Sequence, residues 1–268
     1  MNLADLEASA PFDLPGGSPA VLCLHGLTGT PYIWRPLAAA LAAAGHRVKA
    51  PRLVGHGMTP GLLRHTRFAD WLGTARRAFD ELARTHDPIF VVGHSMGALA
   101  AITLAHERGD RVAGLVVMAT ALEVNWKQQL VLSIARHLPL ADAIPYVIKK
   151  SGPDVSDPAV AAALPTDDRT PIAAAASLLD GQAEAKRRLP LLGVPVLVQH
   201  GRQDHVAPVQ NAREVLAALR TPHKRAIVYP RSWHILSLDV EQAAVTRDVL
   251  AFIEDPVGFT RMGPPPLA

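Results

Sequence analysis

The stretch Val91-Val92-Gly93-His94-Ser95-Met96-Gly97-Ala98 constrains the chain more than any other. Ile89 to Val92 is an apolar run of the length of a buried strand. The Ala-rich segment from Ala98 to Ala105 reads as a helix. Between them stands Gly-x-Ser-x-Gly, the spacing of a nucleophile elbow. The turn from strand to helix is tight enough to strain the backbone of the residue at its tip. Side chains two residues to either side would meet the neighbouring strand and helix, so glycine is required at 93 and 97. Ser95 is then displayed at the sheet edge, at a helix N-terminus that favours negative charge. By chance three fixed positions match about once in a dozen chains of this size. What Ser95 can do therefore depends on its partners.

The order of elements supplies the frame. Residues 1–19, punctuated by Pro11, Pro15, Gly16, Gly17 and Pro19, read as an arm. Ala20 to Leu24 is a short apolar run, as in a strand buried on both faces. Thr30-Pro31 reads as an N-cap and first helical residue, and that helix runs to Ala44 before Gly45. A strand at His46–Ala50, a loop from Pro51 to Arg67, a helix over 68–85 and a strand over 112–119 follow. Further on come a strand at 194–200, a helix at 208–219, a strand at 225–229 and a helix at 240–253. This alternation predicts an α/β fold, a mostly parallel sheet with helices on both faces. Sites in such sheets lie at the carboxyl ends of the strands. The segment from Ala121 to Leu189 breaks the alternation, with prolines at 139, 145, 153, 158, 165 and 171. It is expected to be a small cap inserted into a single domain spanning 1–268. Leu122, Trp126, Ile144 and Leu178 of that cap, with Val206 outside it, are the candidate substrate-binding residues; packing the cap onto the sheet is the alternative role for the cap residues.

A serine hydroxyl needs a base, and the base needs an orienting acid. With an elbow serine they come in the chain order Ser, Asp or Glu, His. Asp204 follows the strand ending at His200, and His234 follows the strand ending at Tyr229. Asp239 is a substitute acid, but it opens a helix after the histidine, where an N-cap role suits it better. His205 points away from its neighbour Asp204, His223 lies at the wrong sheet end, and His200 is inside a strand. The developing oxyanion needs preorganised donors. The main-chain amides of Met96 and Leu27 are placed to serve.

These motifs, taken in order, resemble the bacterial carboxylesterase and monoacylglycerol lipase branch of the α/β-hydrolases. The matching stretches are Leu24-His25-Gly26-Leu27-Thr28-Gly29, Pro51 to Gly57, Asp70-Trp71, Gly93 to Gly97, Arg202-Gln203-Asp204-His205-Val206, Ser232-Trp233-His234 and Leu238-Asp239. The resemblance spans residues 20–255, loosely in the cap. It implies an α/β-hydrolase fold with Ser95 as nucleophile, Asp204 as acid, His234 as base, and Leu27 and Met96 as oxyanion donors. It implies a serine esterase acting on small to medium acyl esters, monoacylglycerols among the candidates. Relatives often have an aromatic residue at the Leu27 position and a second glycine at Ala98. Relatives selective for monoglycerides hold glycerol with polar cap residues, for which Asp154 and Asp157 are candidates. His56 reads as a structural loop residue. Lactone, amide or carbon–carbon hydrolysis on the same fold, or a non-enzymatic receptor or scaffold, are the alternatives.

Composition removes other classes. The chain has 268 residues, 49% of them hydrophobic, enough for a sizeable core. Net charge is +3, and no basic run exceeds Lys186-Arg187-Arg188, so nucleic-acid binding is not expected. The single cysteine, Cys23, lies in an apolar run and reads as core, with no disulfide and no cysteine metal site. No metal or organic cofactor is implied. No signal peptide is visible in Met1–Gly17 and no transmembrane run of about 18 apolar residues exists, so a cytoplasmic setting is expected. Oligomeric state and natural substrate are left open.

Overall fold

The computed structural model describes residues 3–57, 61–136, 148–149, 152–165 and 169–262. Its strands, in chain order, are β1 (Phe12–Leu14), β2 (Gly17–Leu24), β3 (His46–Ala50), β4 (Ile89–His94), β5 (Val112–Met118), β6 (Ile148–Lys149), β7 (Arg169–Thr170), β8 (Val196–Gly201) and β9 (Lys224–Tyr229). Seven form one sheet in the order β1-β3-β2-β4-β5-β8-β9, and β6 and β7 form a separate antiparallel pair. Every pairing in the large sheet is parallel except β1 with β3. The expected α/β architecture is the one observed.

The strand residues alternate between two apolar cores, as period-2 side chains must. Ala20, Leu22, Leu24, Ile89, Val91, Leu115 and Val117 face one core. Val21, Cys23, Phe90, Val92, Val116 and Met118 face the other. Burial pushes the Cys23 thiol up in pKa, as befits an unreactive core residue.

Helices cover both faces. On the second stand α2 (Arg35–Ala43) and α10 (Gln242–Glu254). On the first stand α3 (Phe68–Leu82), α4 (Met96–Arg108) and α9 (Gln210–Ala218). In α4 every residue from Met96 to Ala105 is buried. A helix apolar all round must be covered on all sides. The sheet covers one side of α4, and α3 with α8 (Leu178–Arg188) covers the rest.

That placement corrects the sequence reading. The expected insertion to Leu189 took in α8, but α8 belongs to the helix layer. Gly181 lets it approach closely, since a Cβ there would lie 2.6 Å from the Phe68 ring. Before it in the same stretch come α5 (Trp126–Arg136), α6 (Pro158–Ala163) and α7 (Ile172–Ala176). Both roles need apolar helices, so composition does not separate them.

Two further corrections concern the ends. Residues 1–19 carry α1 (Leu3–Ala8), β1 and the start of β2, not an arm. In β1, Asp13 pairs with Lys49 and binds both Lys49 (2.9 Å) and Arg47 (3.0 Å). Three residues are too few to show alternation, so this strand is defined only by its partner. At the other end α11 (Pro256–Arg261) follows α10. Its signals are local: Pro256 is at N1, and the Asp255 carboxylate accepts from Gly258 N–H at 2.8 Å. Among the described residues no helix is long and apolar enough to cross a membrane.

Candidate active site

β2, β4, β8 and β9 run parallel, so the loops after them share one edge. Leu27 follows β2, Ser95 follows β4, Asp204 follows β8 and His234 follows β9. Ser95 has φ 55° and ψ −117°. A non-glycine residue there is strained, and Ser95 N–H bonded to Met118 O (2.9 Å) helps to hold it. The elbow glycines are required as reasoned. A Cβ on Gly93 would lie 2.5 Å from Gly97 O, at the start of α4. One on Gly97 would lie 2.2 Å from Leu24 O, at the end of β2. Met96 opens α4, and first-turn N–H groups have no partner within their own helix.

His234 Nδ1 donates to Asp204 Oδ2 at 2.8 Å. That bond leaves Nε2 as the ring's lone-pair nitrogen. Ser95 and His234 are each 7% exposed, whereas the Asp204 side chain is wholly buried. Asp204 nonetheless has partners on every side. Its Oδ1 accepts from Val206 N–H and Ala207 N–H, each at 2.8 Å. Its Oδ2 accepts from His234 and, at 3.1 Å, from His200 Nε2. Burial alone would raise the Asp204 carboxyl; the charge of His234 and the hydrogen bonds from His200 and His234 together hold it well below the usual carboxylate range.

Asp239 does not meet the histidine ring. Its Oδ2 accepts from Trp233 N–H (2.6 Å), and its Oδ1 from Ser156 N–H (3.1 Å), the Ser156 hydroxyl and Val240 N–H (2.8 Å). It ties the stretch before α6 to the loop carrying His234. Asp154 does the same from the other side. Its Oδ2 accepts from His234 N–H (3.2 Å) and His205 N–H (3.0 Å), its Oδ1 from His205 Nδ1 (2.8 Å), and its carbonyl from Ile235 N–H (3.1 Å). Asp157 caps α6 by accepting from Ala159 N–H at 2.8 Å. Asp154 and Asp157, the candidates for holding glycerol, thus both have N–H partners within the chain.

Histidines brace the same edge. His94 Nε2 donates to His234 O at 2.9 Å, and the two rings meet edge-on at 4.7 Å. Burial, and then the charge of His234, push His94 down to about 3, so it stays neutral. His25 Nε2 accepts from Leu53 N–H at 3.0 Å and its Nδ1 donates to Gly26 O at 2.9 Å. The loop carrying Leu27 is thereby fastened to the loop after β3. His56 is buried between His25 and Trp71, a structural position.

The candidate substrate residues fare differently. Leu122 and Leu178 are packed into the core on the α4 face, 3% and 7% exposed. Val206 is 43% exposed, and its amide is spent on Asp204. A residue beside a layer helix or on a turn thus reads in sequence like a residue of the cap. Ile144 lies outside the described residues. Trp126 opens α5, but its side chain lies outside the described ones. What does meet the Leu27 loop is a small cluster of Leu132, Ala175 and Leu179, with Leu27 and Val124 packed against it.

Gly201, the last residue of β8 and three before Asp204, has in sequence only the look of a loop start. A Cβ there would lie 2.1 Å from Trp233 O and 2.4 Å from Ser232 O. Glycine is what allows the His234 loop to lie against the end of β8. Gly201→Ala is expected to destabilise the protein by roughly 1–3 kcal/mol, as overpacking does, and to lower kcat by displacing His234. A thermal melt and kcat on the same preparation check this; an unchanged melt and kcat would show that the contact is soft.

Comparison with known proteins agrees with this geometry. The family model described as serine aminopeptidase S33 (Hydrolase_4) matches residues 18–241. A thermostable monoacylglycerol lipase from Bacillus sp. (strain H-257) is 30% identical over 253 residues, 94% of this chain and 97% of that protein. A carboxylesterase from Bacillus subtilis (strain 168) is 27% identical over 248 residues, 91% and 96% of the two chains. A solved structure from work on LipS and LipT, two metagenome-derived lipolytic enzymes, superposes with a TM-score of 0.85 at 29% identity, covering 92% of this chain and 98% of that one. Leu27, Ser95, Asp204 and His234 stand on one edge of a parallel sheet, within a chain matched from residue 18 to residue 241. The chain therefore belongs to the Hydrolase_4 family of α/β-hydrolases and is a serine ester hydrolase.

Proposed function

We propose that Ser95 attacks the ester carbonyl, with His234 as general base and Asp204 as its orienting acid. The observation that carries this is the 2.8 Å bond from His234 Nδ1 to a buried Asp204, on the same edge as the strained Ser95. His234 Nε2 takes the Ser95 proton and returns it to the leaving alcohol. The acyl-Ser95 intermediate is then hydrolysed by water that His234 activates in turn. The amides of Leu27 and Met96 bind the oxyanion. The chain acts as one domain, with the stretch 121–177 as its cap. Its single buried cysteine suits a reducing, cytoplasmic setting.

The substrates in this reading are small to medium acyl esters, monoacylglycerols among them. Leu132, Leu179 and Val124 border the Leu27 loop, so the acyl chain meets apolar side chains there. The name of the Bacillus lipase supports the monoacylglycerol part.

A panel of p-nitrophenyl esters from acetate to octanoate, beside a lactone and an anilide, tests the assignment. Each buried CH₂ contributes about 0.8 kcal/mol, so kcat/KM should rise up to several-fold per two carbons until the pocket is full. A flat profile would count against an apolar acyl site, and faster anilide cleavage would move the reading to amides.

A further inference from the structure

Asp204 is shared between two imidazoles. His200 lies within β8, four residues before Asp204, and its side chain is completely buried. Its Nε2 stands 3.1 Å from Asp204 Oδ2 and 3.1 Å from Ala207 O. Both partners are acceptors, so Nε2 carries the hydrogen. Its Nδ1 is buried and has no partner among the described residues, so nothing competes for that tautomer. The Asp204 oxygen it addresses is the one that also accepts from His234 Nδ1.

We propose that His200 is a positioning residue, whose Nε2–H fixes the Asp204 carboxylate and draws charge from the oxygen facing His234. The proposal rests on the reading of Ser95, His234 and Asp204 given above. A buried imidazole that only filled space would not need an N–H on a charged oxygen. This one closes a cage: two main-chain N–H groups hold Oδ1, and two imidazole N–H groups hold Oδ2. With four donors the carboxylate has no freedom to rotate away from His234. The His200 bond also shares the charge of Oδ2, so less of it stabilises the His234 imidazolium. The other groups facing His234 are the His94 ring from β4 and the Asp154 carboxylate, which also holds His205. None of these shares a hydrogen bond with His200, and the His94 ring, which also feels the charge of His200, is kept neutral chiefly by burial, so it remains uncharged across the variants.

The test uses the full chain and three variants: His200→Leu, His200→Asn and His200→Gln. The amide nitrogen of Gln reaches the Nε2 position, whereas that of Asn falls short of it. Hydrolysis of p-nitrophenyl butyrate is followed from about pH 5 to 9, the range of histidine titration, with a thermal melt for each variant. Loss of a hydrogen bond to a charged group predicts a kcat about 10- to 100-fold lower in Leu and Asn, with KM nearly unchanged. The acidic limb of kcat/KM should move to higher pH in both, because Oδ2 then gives its full charge to His234. Gln should restore most of kcat and the limb position. If Leu does not fold, the contrast between Gln and Asn decides. Equal kcat and equal limb positions for Gln and Asn overturn the proposal, as does a Leu variant with the wild-type profile. A wild type that a fluorophosphonate fails to label at Ser95 sinks the triad reading itself; labelled wild type with unaltered His200 variants sinks only this inference.

Discussion

Ser95→Ala is expected to lower kcat for ester hydrolysis by several orders of magnitude while leaving the melting temperature nearly unchanged. The chemical part follows from the nucleophile: without Oγ no acyl intermediate can form, and only residual stabilisation of the oxyanion remains. The structural part follows from the elbow. Alanine fits the space of serine, and the main-chain bond from residue 95 to Met118 O does not involve the side chain. The strain at φ 55° is common to both residues. Kinetics on a medium-chain ester, a melt and fluorophosphonate labelling together check it. A variant that keeps more than about a hundredth of the wild-type kcat would remove Ser95 from its role, since losing a nucleophile costs far more.

Asp204→Asn is the second large effect, with kcat lowered by about 10⁴. The Asn oxygen can replace Oδ1 and still accept from Val206 and Ala207. Its NH₂ then faces His234 Nδ1–H and His200 Nε2–H, donor against donor. His234 escapes by moving its proton to Nε2, the nitrogen that must be free to accept from Ser95. With the negative charge gone, the imidazolium loses support, so the acidic limb of kcat/KM should move to lower pH even as the rate falls. A limb that stays put or rises would uncouple Asp204 from the base. Stability carries a second signature. The Asp204 carboxyl titrates below the ordinary carboxylate value, near 3.9. Its contribution is therefore complete above that value and is lost as pH falls toward the lower folded value. Melts of the two proteins should differ most near neutrality and converge below about pH 4. A gap that widens on acidification would reverse the sign of the linkage. The same carboxyl substitution at Asp239 should affect folding more than the pH limb, because that side chain holds Trp233 and Ser156 rather than the ring.

The elbow, the parallel strands and the order of Ser95, Asp204 and His234 were determined by the sequence alone. Each rests on short-range physics: apolar runs mark strands buried on both faces, glycines mark close approaches, and parallel strands send their carboxyl ends to one edge. The helix starting at Thr30-Pro31, in the event a turn of 3₁₀-helix (Pro31–Trp34) leading into α2, was legible for the same reason, since the Thr30 hydroxyl accepts from Tyr32 N–H within the local turn. Tertiary structure alone decided what holds the Asp204 carboxylate against the histidine and what the neighbouring acids do. Asp154 and Asp239 reach the His234 loop from positions 80 residues away and six residues away respectively, while Asp204 reaches its ring across 30. All three are acidic residues near turns, and only the packing of their loops separates a ring partner from a main-chain clamp. His200 was passed over because a strand position says nothing about where a side chain ends. The apolar residues from Leu122 to Leu179 divided into core and cap for the same reason: hydrophobicity says that a side chain is covered, and only packing says by what.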